Sequence, residues 1–298
     1  MKKHIRIIPR LDIKGGNLIK GLCFDGYRAL GTSESFSQIY YNEGADELFF
    51  QDVVASLYFR NTLMEIVKKT AESIFIPLTV AGGIRSIDDI KNLLRAGADK
   101  IAINTEAVHS PELIKKASDR FGSQCIVSSI EAKLHNDGKY KVWVDYGREP
   151  TNIDVLDWAQ QVVDLGAGEI ILSSIDKDGS GEGFDLSLIQ TVASSVSVPV
   201  IACCGASCKD DFVRVVTEGK ADAVAAASIF HYYYAQPVDS HYMSYNEPRL
   251  RMGNQIDSGN IEFLKSGYGG FKDILVQPET IANVKKHMLE NGIHVRPI

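Results

Sequence analysis

Short apolar runs alternate with amphipathic stretches along most of the chain. Runs that fit strands fall at 5–11, 47–51, 76–80, 99–103, 125–130, 169–173, 199–203 and 222–226. Helical patterns fall at 34–43, 59–73, 87–96, 111–120, 154–165, 186–195, 209–218 and 279–291. Strand and helix alternate eight times. That predicts an α/β fold with a parallel sheet, and eight units close a (β/α)8 TIM barrel. A chain of 298 residues fits one such barrel as a single domain over 1–298.

An internal repeat supports this pattern. Gly44-Ala45-Asp46-Glu47-Leu48-Phe49 resembles Gly166-Ala167-Gly168-Glu169-Ile170-Ile171. Ala81-Gly82-Gly83, followed by a helix with Asp88-Asp89, resembles Cys203-Cys204-Gly205, followed by a helix with Asp210-Asp211. Leu11-Asp12-Ile13-Lys14 likewise falls on Ile130-Glu131-Ala132-Lys133. The chain therefore reads as two half-barrels, with strands 1 and 5 on opposite sides of the mouth. Two segments exceed the minimal unit. Asn136-Asp137-Gly138 marks a hairpin over the mouth within 132–148. The stretch 233–277, rich in Tyr, Gly, Asn and Ser, is an insertion before the last helix that reads as a loop or lid.

In this fold the chemistry sits at the C-terminal ends of the strands. Those ends carry Asp12, Asp52, Gly83, Asn104, Thr105, Glu131, Ser173, Asp178, Gly179, Gly205, Ala227 and Ser228. Two carboxylates facing one another, Asp12 and Glu131, suit general acid–base work. The bland reading is that each caps a helix or pairs with Lys14 or Lys133. Small-residue turns after strands 3, 4, 7 and 8 let helix starts approach an anion, and two such rims predict a long bisphosphate across the mouth. They also fit plain tight turns. At the opposite strand ends, Arg6, Glu47, Lys100 and Glu169 should point inward at the floor, by period-2 counting, as an ion-pair plug.

Composition narrows the partners. A net charge of -6 argues against a nucleic-acid surface, yet permits a small phosphorylated ligand held by backbone N–H groups. Five cysteines, Cys23, Cys125, Cys203, Cys204 and Cys208, form no regular framework, so a reduced, cytoplasmic setting is expected. No cysteine or histidine spacing matches zinc, and no metal or cofactor is expected. His109, His231 and His294 read as structural, and Tyr232-Tyr233-Tyr234 as core or interface. No signal region or membrane-length apolar run is present.

Together these residues resemble the HisF family, the cyclase (synthase) subunits of imidazole glycerol phosphate synthase. The resemblance covers nearly everything except 233–277. It is carried by Arg6-Ile7-Ile8-Pro9 through Lys14, Lys20-Gly21, Gly44 to Leu48, Asp52, Ala55-Ser56, Gly82-Gly83-Ile84 and Gly97 to Lys100. It continues through Ile103-Asn104-Thr105, Phe121 to Gln124, Gly166 to Ile170, Ser174 to Gly179 and Ala227 to His231. The resemblance implies a glutaminase (HisH-like) partner at the barrel floor and ammonia passing up the barrel. It makes Arg6, Glu47, Lys100 and Glu169 a gate rather than a plug, and it makes Asp12 and Glu131 the acids acting on a phosphoribulosyl bisphosphate. Lys20 joins the substrate residues on the same ground. Three departures stand out. Glu131 replaces the family's second Asp, Ala81 replaces a glycine, and Cys203-Cys204-Gly205-Ala206-Ser207 has less glycine than usual. With the insertion, they leave open an alternative: a HisF-like subunit that channels ammonia to amidate a surface-polysaccharide sugar.

Overall fold

The computed structural model describes residues 4–53, 62–235 and 275–298. Ala55-Ser56 and most of the expected insertion, 236–274, lie outside the described residues. Twelve strands follow in chain order: β1 (Arg6–Lys14), β2 (Asn17–Leu22), β3 (Asp25–Thr32), β4 (Leu48–Asp52), β5 (Leu78–Ala81), β6 (Lys100–Ile103), β7 (Ile126–Leu134), β8 (Tyr140–Val144), β9 (Glu149–Asp154), β10 (Glu169–Ser174), β11 (Val200–Cys203) and β12 (Ala223–Ala226). Eight of them pair in parallel as β1-β4-β5-β6-β7-β10-β11-β12, and β12 pairs back onto β1. The ring is closed, which removes exposed strand edges. This is the (β/α)8 barrel that the alternation predicts.

Each barrel strand divides its residues by the two-residue period. On β1, Ile7, Leu11 and Ile13 join the large core between strands and helices. Ile8 joins a second cluster inside the ring, with Phe49, Ala102, Val127, Ile171, Ile201 and Ala223. Arg6, Arg10 and Asp12 share the parity of Ile8 and so face inward. The same division sets Glu47, Phe49 and Gln51 inward around β4, and Val127, Ser129 and Glu131 inward on β7.

Three Ala-Asp segments, at 45–46, 98–99 and 221–222, have a shared job at the floor. Asp46 accepts the backbone N–H of Ile7 at 2.8 Å, Asp99 that of Leu78 at 2.8 Å and Asp222 that of Val200 at 2.7 Å. Each carboxylate thus ties the loop before its own strand to the neighbouring strand, fixing the register of the ring. Asp46 also holds the buried Lys285 of the last helix at 2.7 Å, which docks Ile281–Glu290 against the barrel.

Two features of the mouth correct the expected boundaries. Strand 1 does not end at Leu11, nor strand 5 at Ile130. Both run on, to Lys14 and Leu134, and turn into antiparallel ribbons. Asp12 pairs with Ile19 of β2, and Glu131 with Trp143 of β8, so both acids lie inside strands rather than at their ends. The Asn136-Asp137-Gly138 turn joins the end of β7 to β8, and the second ribbon, β8–β9, runs on to Asp154, past the expected bounds of 132–148. The first, β2–β3, follows a turn at Gly15-Gly16 and is not among the expected strands. Ser228–Ala235 is also helical, so Tyr232, Tyr233 and Tyr234 lie on a helix that includes the first residues of the expected insertion. Tyr234 packs edge-on to the buried Tyr40, whose hydroxyl meets His231 Nδ1 at 2.5 Å. Burial, and then the charge of Lys20, push the His231 pKa down to about 3, which keeps it a neutral core residue.

Candidate active site at the barrel mouth

The floor comes first, because it is the simplest part. Arg6 contacts Glu47 at 2.5 Å and also Glu169, while Lys100 contacts Glu47 and Glu169 at 2.9 Å each. Two cations and two anions therefore alternate in a ring across the barrel, each touching both partners of opposite sign. Such a ring offsets the desolvation that an unpaired buried charge would suffer. Thr79 adds a hydroxyl donor to Glu47 at 2.5 Å. A hollow of about 370 Å³ opens below Arg6, lined by Ile5, Phe75, Pro77 and Arg296 among others. Phe75 stands 81% exposed at its rim.

Above the apolar interior lie the two acids, both almost fully buried. Their surroundings differ. Asp12 is bound by Arg10 Nε at 2.9 Å. Glu131 accepts the backbone N–H of Gly147 at 2.8 Å, and Asn104 supplies a further side-chain hydrogen bond. Burial dominates at Glu131 and lifts its pKa to about 7, against the lowering effects of Arg10, Gly147 and Asn104. Neither acid has the lysine partner of the bland reading. Lys133 instead sits 4.7 Å over the Trp143 ring.

The remaining predicted residues sort into two rims. Asp52, Gly83, Asn104, Thr105 and Glu131 line one cleft of about 240 Å³. Lys20, Asp178, Gly179, Gly205, Ala227 and Ser228 line a second space on the other side, about 20 Å³. Ser173 lies between them and accepts from Arg10 Nη1 at 3.1 Å. The glycine turns are required by close approach. A Cβ on Gly82 would stand 2.4 Å from the Asp52 carbonyl, and one on Gly205 would stand 2.2 Å from the Gly183 carbonyl. Cys204, where more glycine was expected, adopts φ 78°, at a cost of about 1 kcal/mol for a side chain in that region. In the turns before the helices that follow β5 and β11, Asp89 accepts the Arg85 N–H and Asp211 accepts those of Ser207 and Cys208, while the Asp89 N–H donates to Ser86 Oγ. These turn N–H groups are therefore engaged within the chain.

Lys20 and Asp178 are joined to each other at 3.0 Å. Burial, the largest single influence, would lower the Lys20 pKa, but the charges of Asp178 and Asp12 and the hydrogen bond to Asp178 together outweigh it and the pKa is raised. Asp178 also accepts the Phe24 N–H at 3.1 Å, and Asp176 accepts the Leu134 N–H at 2.9 Å. The loop after β10 thus clamps both ribbons. At the ribbon tips Cys23 and Phe24, and Asp145 and Tyr146, all take positive φ. This brings the Phe24 and Tyr146 rings into a stack 4.5 Å apart.

Several site residues escaped the sequence reading. Arg85, Glu106, His109, Asp145 and Tyr146 line the larger cleft; the last two come from a turn whose place over the mouth depends on the ribbon. Arg10 is the main omission. It is buried beside Asp12, and the period-2 counting that found Arg6 places it on the same inward face.

With this geometry in view, the chain matches the family profile described as Histidine biosynthesis protein over residues 6–235. It is 55% identical over 209 residues to the Legionella pneumophila protein named imidazole glycerol phosphate synthase subunit HisF, a match spanning 70% of this chain and 99% of that protein. The chain belongs to the HisF family. The family match stops at 235, next to the start of the expected insertion and before the last helix. Among the described residues, no group of three or more His, Cys, Asp or Glu is arranged to hold a metal ion, and no helix is long and apolar enough to cross a membrane.

Proposed function

We propose that this HisF-family chain is the ammonia-dependent cyclase–lyase subunit of an imidazole glycerol phosphate synthase. Ammonia made by a HisH-like glutaminase enters at the floor, crosses the ring of Arg6, Glu47, Lys100 and Glu169, and rises past Ile8, Phe49 and Val127. At the mouth it meets a phosphoribulosyl bisphosphate whose two phosphates lie on opposite rims. One phosphate meets Gly83, Asn104 and Thr105; the other meets Gly205, Ala227 and Ser228. Glu131, with a pKa about 7, holds or releases a proton near neutrality, which suits a group that both donates and accepts as the imidazole ring closes. Asp12 serves as the fixed carboxylate opposite. Imidazole glycerol phosphate and an aminoimidazole carboxamide ribotide then leave. The hollow below Arg6 and the exposed Phe75 offer the glutaminase an apolar seat.

The observation that carries this reading is the pair of inward, buried acids in unlike environments at the mouth of a HisF-family barrel. The surface-sugar alternative is not favoured, since the 55% identical relative bears the synthase-subunit name. The test is direct. Purified protein given ammonium chloride and the bisphosphate should yield imidazole glycerol phosphate, and Asp12→Asn should lower that turnover by about 10²–10⁴-fold. A folded wild-type protein with no turnover would sink the proposal.

A further inference from the structure

The two sides of the mouth differ in how full they are. Over β4 to β7 lies the cleft of about 240 Å³; over β10 to β12 only about 20 Å³ remains, and Arg10 lines it. Arg10 starts on β1, yet its Nη1 reaches Ser173 on β10 at 3.1 Å and Cys203 on β11 at 3.4 Å. Its Nη2 reaches the Tyr146 hydroxyl at 3.3 Å. The guanidinium carbon lies 5.8 Å from the Phe49 ring centroid, 5.3 Å from Phe24 and 5.8 Å from Tyr146. Contacts from β4 on one flank, from β10 and β11 on the other, and from both ribbon tips place this cation across the barrel axis. Its fourth hydrogen bond, from Nε, goes to Asp12 at 2.9 Å. A planar guanidinium fixes its partners through several donors at once, which an ammonium cannot copy.

We propose that Arg10 is a positioning residue that makes the two acids unequal: it fixes Asp12 on the filled side of the mouth and leaves Glu131 as the acid that faces the open cleft. This rests on the reading of Asp12 and Glu131 as the acids of the reaction. Its electrostatic consequence reaches Glu131 as well, because Arg10 is the strongest lowering influence on that carboxyl. The other charged or titratable groups around the cleft are Asp12, Asp52, Arg85, Glu106, His109, Asp145 and Tyr146; of these, Asp12 and Tyr146 contact Arg10 and lose that contact when it is replaced.

The test compares wild type with Arg10→Met, which keeps length without charge, and Arg10→Lys, which keeps charge without the fork. Glu131 is titrated by carbon NMR in protein labelled at glutamate side chains, with Glu131→Gln to assign the signal. Arg10→Met should raise the Glu131 midpoint by about one pH unit, and Arg10→Lys by less than half of that. With ammonium chloride and the bisphosphate, Arg10→Met should lower kcat by about tenfold, with the alkaline limb of the pH profile moved up in step and partial recovery in Arg10→Lys. If Arg10→Met folds poorly, Arg10→Met with Asp12→Asn removes both charges, and its Glu131 midpoint should lie above that of wild type by less than about one pH unit. A Glu131 midpoint unmoved in every variant, or an Arg10→Met kcat equal to wild type, overturns the proposal. A shifted midpoint in a protein with no cyclase turnover upholds the role of Arg10 and defeats the cyclase reading instead.

Discussion

The half-barrel that begins with β1 and the one that begins with β7 share a plan. Each opens with a strand that carries an inward acid, overruns the barrel and turns into a two-stranded ribbon. Each ribbon places an aromatic in a positive-φ turn, and the two aromatics stack over the mouth. The shared plan ends at the acids. Asp12 has a guanidinium at 2.9 Å. Glu131 has a backbone N–H and an amide, and burial lifts its pKa to about 7. One residue without a counterpart accounts for the difference: Arg10 lies two before Asp12, whereas Ser129 lies two before Glu131. A repeated scaffold thus supplies two equivalent places, and a single side chain gives them different chemistry.

The largest test of this comparison is removal of each acid. Asp12→Asn and Glu131→Gln should each lower ammonium-driven turnover by about 10²–10⁴-fold. Residual activity should keep its inflection near pH 7 in Asp12→Asn and lose it in Glu131→Gln. The same inflection in both would show that the acids are interchangeable. Next comes Glu131→Asp, which restores the family's residue type. The shorter side chain withdraws from the Gly147 N–H, and a displacement of about 1 Å should cost on the order of 10–100-fold in kcat. A gain in activity would mean that the longer acid is a handicap in this scaffold.

Stability offers a third measurement. The folded pKa of Glu131 is about 7, raised from 4.5. Between these values the unfolded chain has released a proton that the native state keeps, so stability falls as pH rises through this window. The loss is complete above pH 7 and amounts to at most roughly 3 kcal/mol. Glu131→Gln removes the linkage, so denaturant unfolding should show the variant gaining on wild type between pH 4 and pH 8. Parallel curves would remove the buried neutral acid from the comparison. The smallest effect belongs to the floor, where the halves meet. Lys100→Ala should alter ammonium-driven turnover by less than about threefold, while glutamine-driven turnover in the presence of the partner changes by more. Equal changes would deny the ring a gating role.

Period-2 counting from the sequence brought Arg6, Glu47, Lys100 and Glu169 to one level, because the pleat alone decides which face a strand residue takes. The Asp88-Asp89 and Asp210-Asp211 echo falls on the first turns of two helices. Arg10 stood on the same face, yet its role was not legible. Its partners Ser173, Cys203 and Tyr146 are 136 to 193 residues away.

What the sequence determined by itself is therefore local and periodic: eight strand–helix units, the inward face of each strand, and the level at which each charge sits. These follow from the two-residue pleat, the 3.6-residue helical turn and the repeat. What only the tertiary structure decided is which of those inward groups meet. Ring closure set Arg10 across the axis against Ser173 and Cys203, and the two ribbons brought Phe24 and Tyr146 together above it. Glu131 was left buried without a cation at hydrogen-bonding distance, and the proton affinity of a buried carboxyl depends on what surrounds it in space.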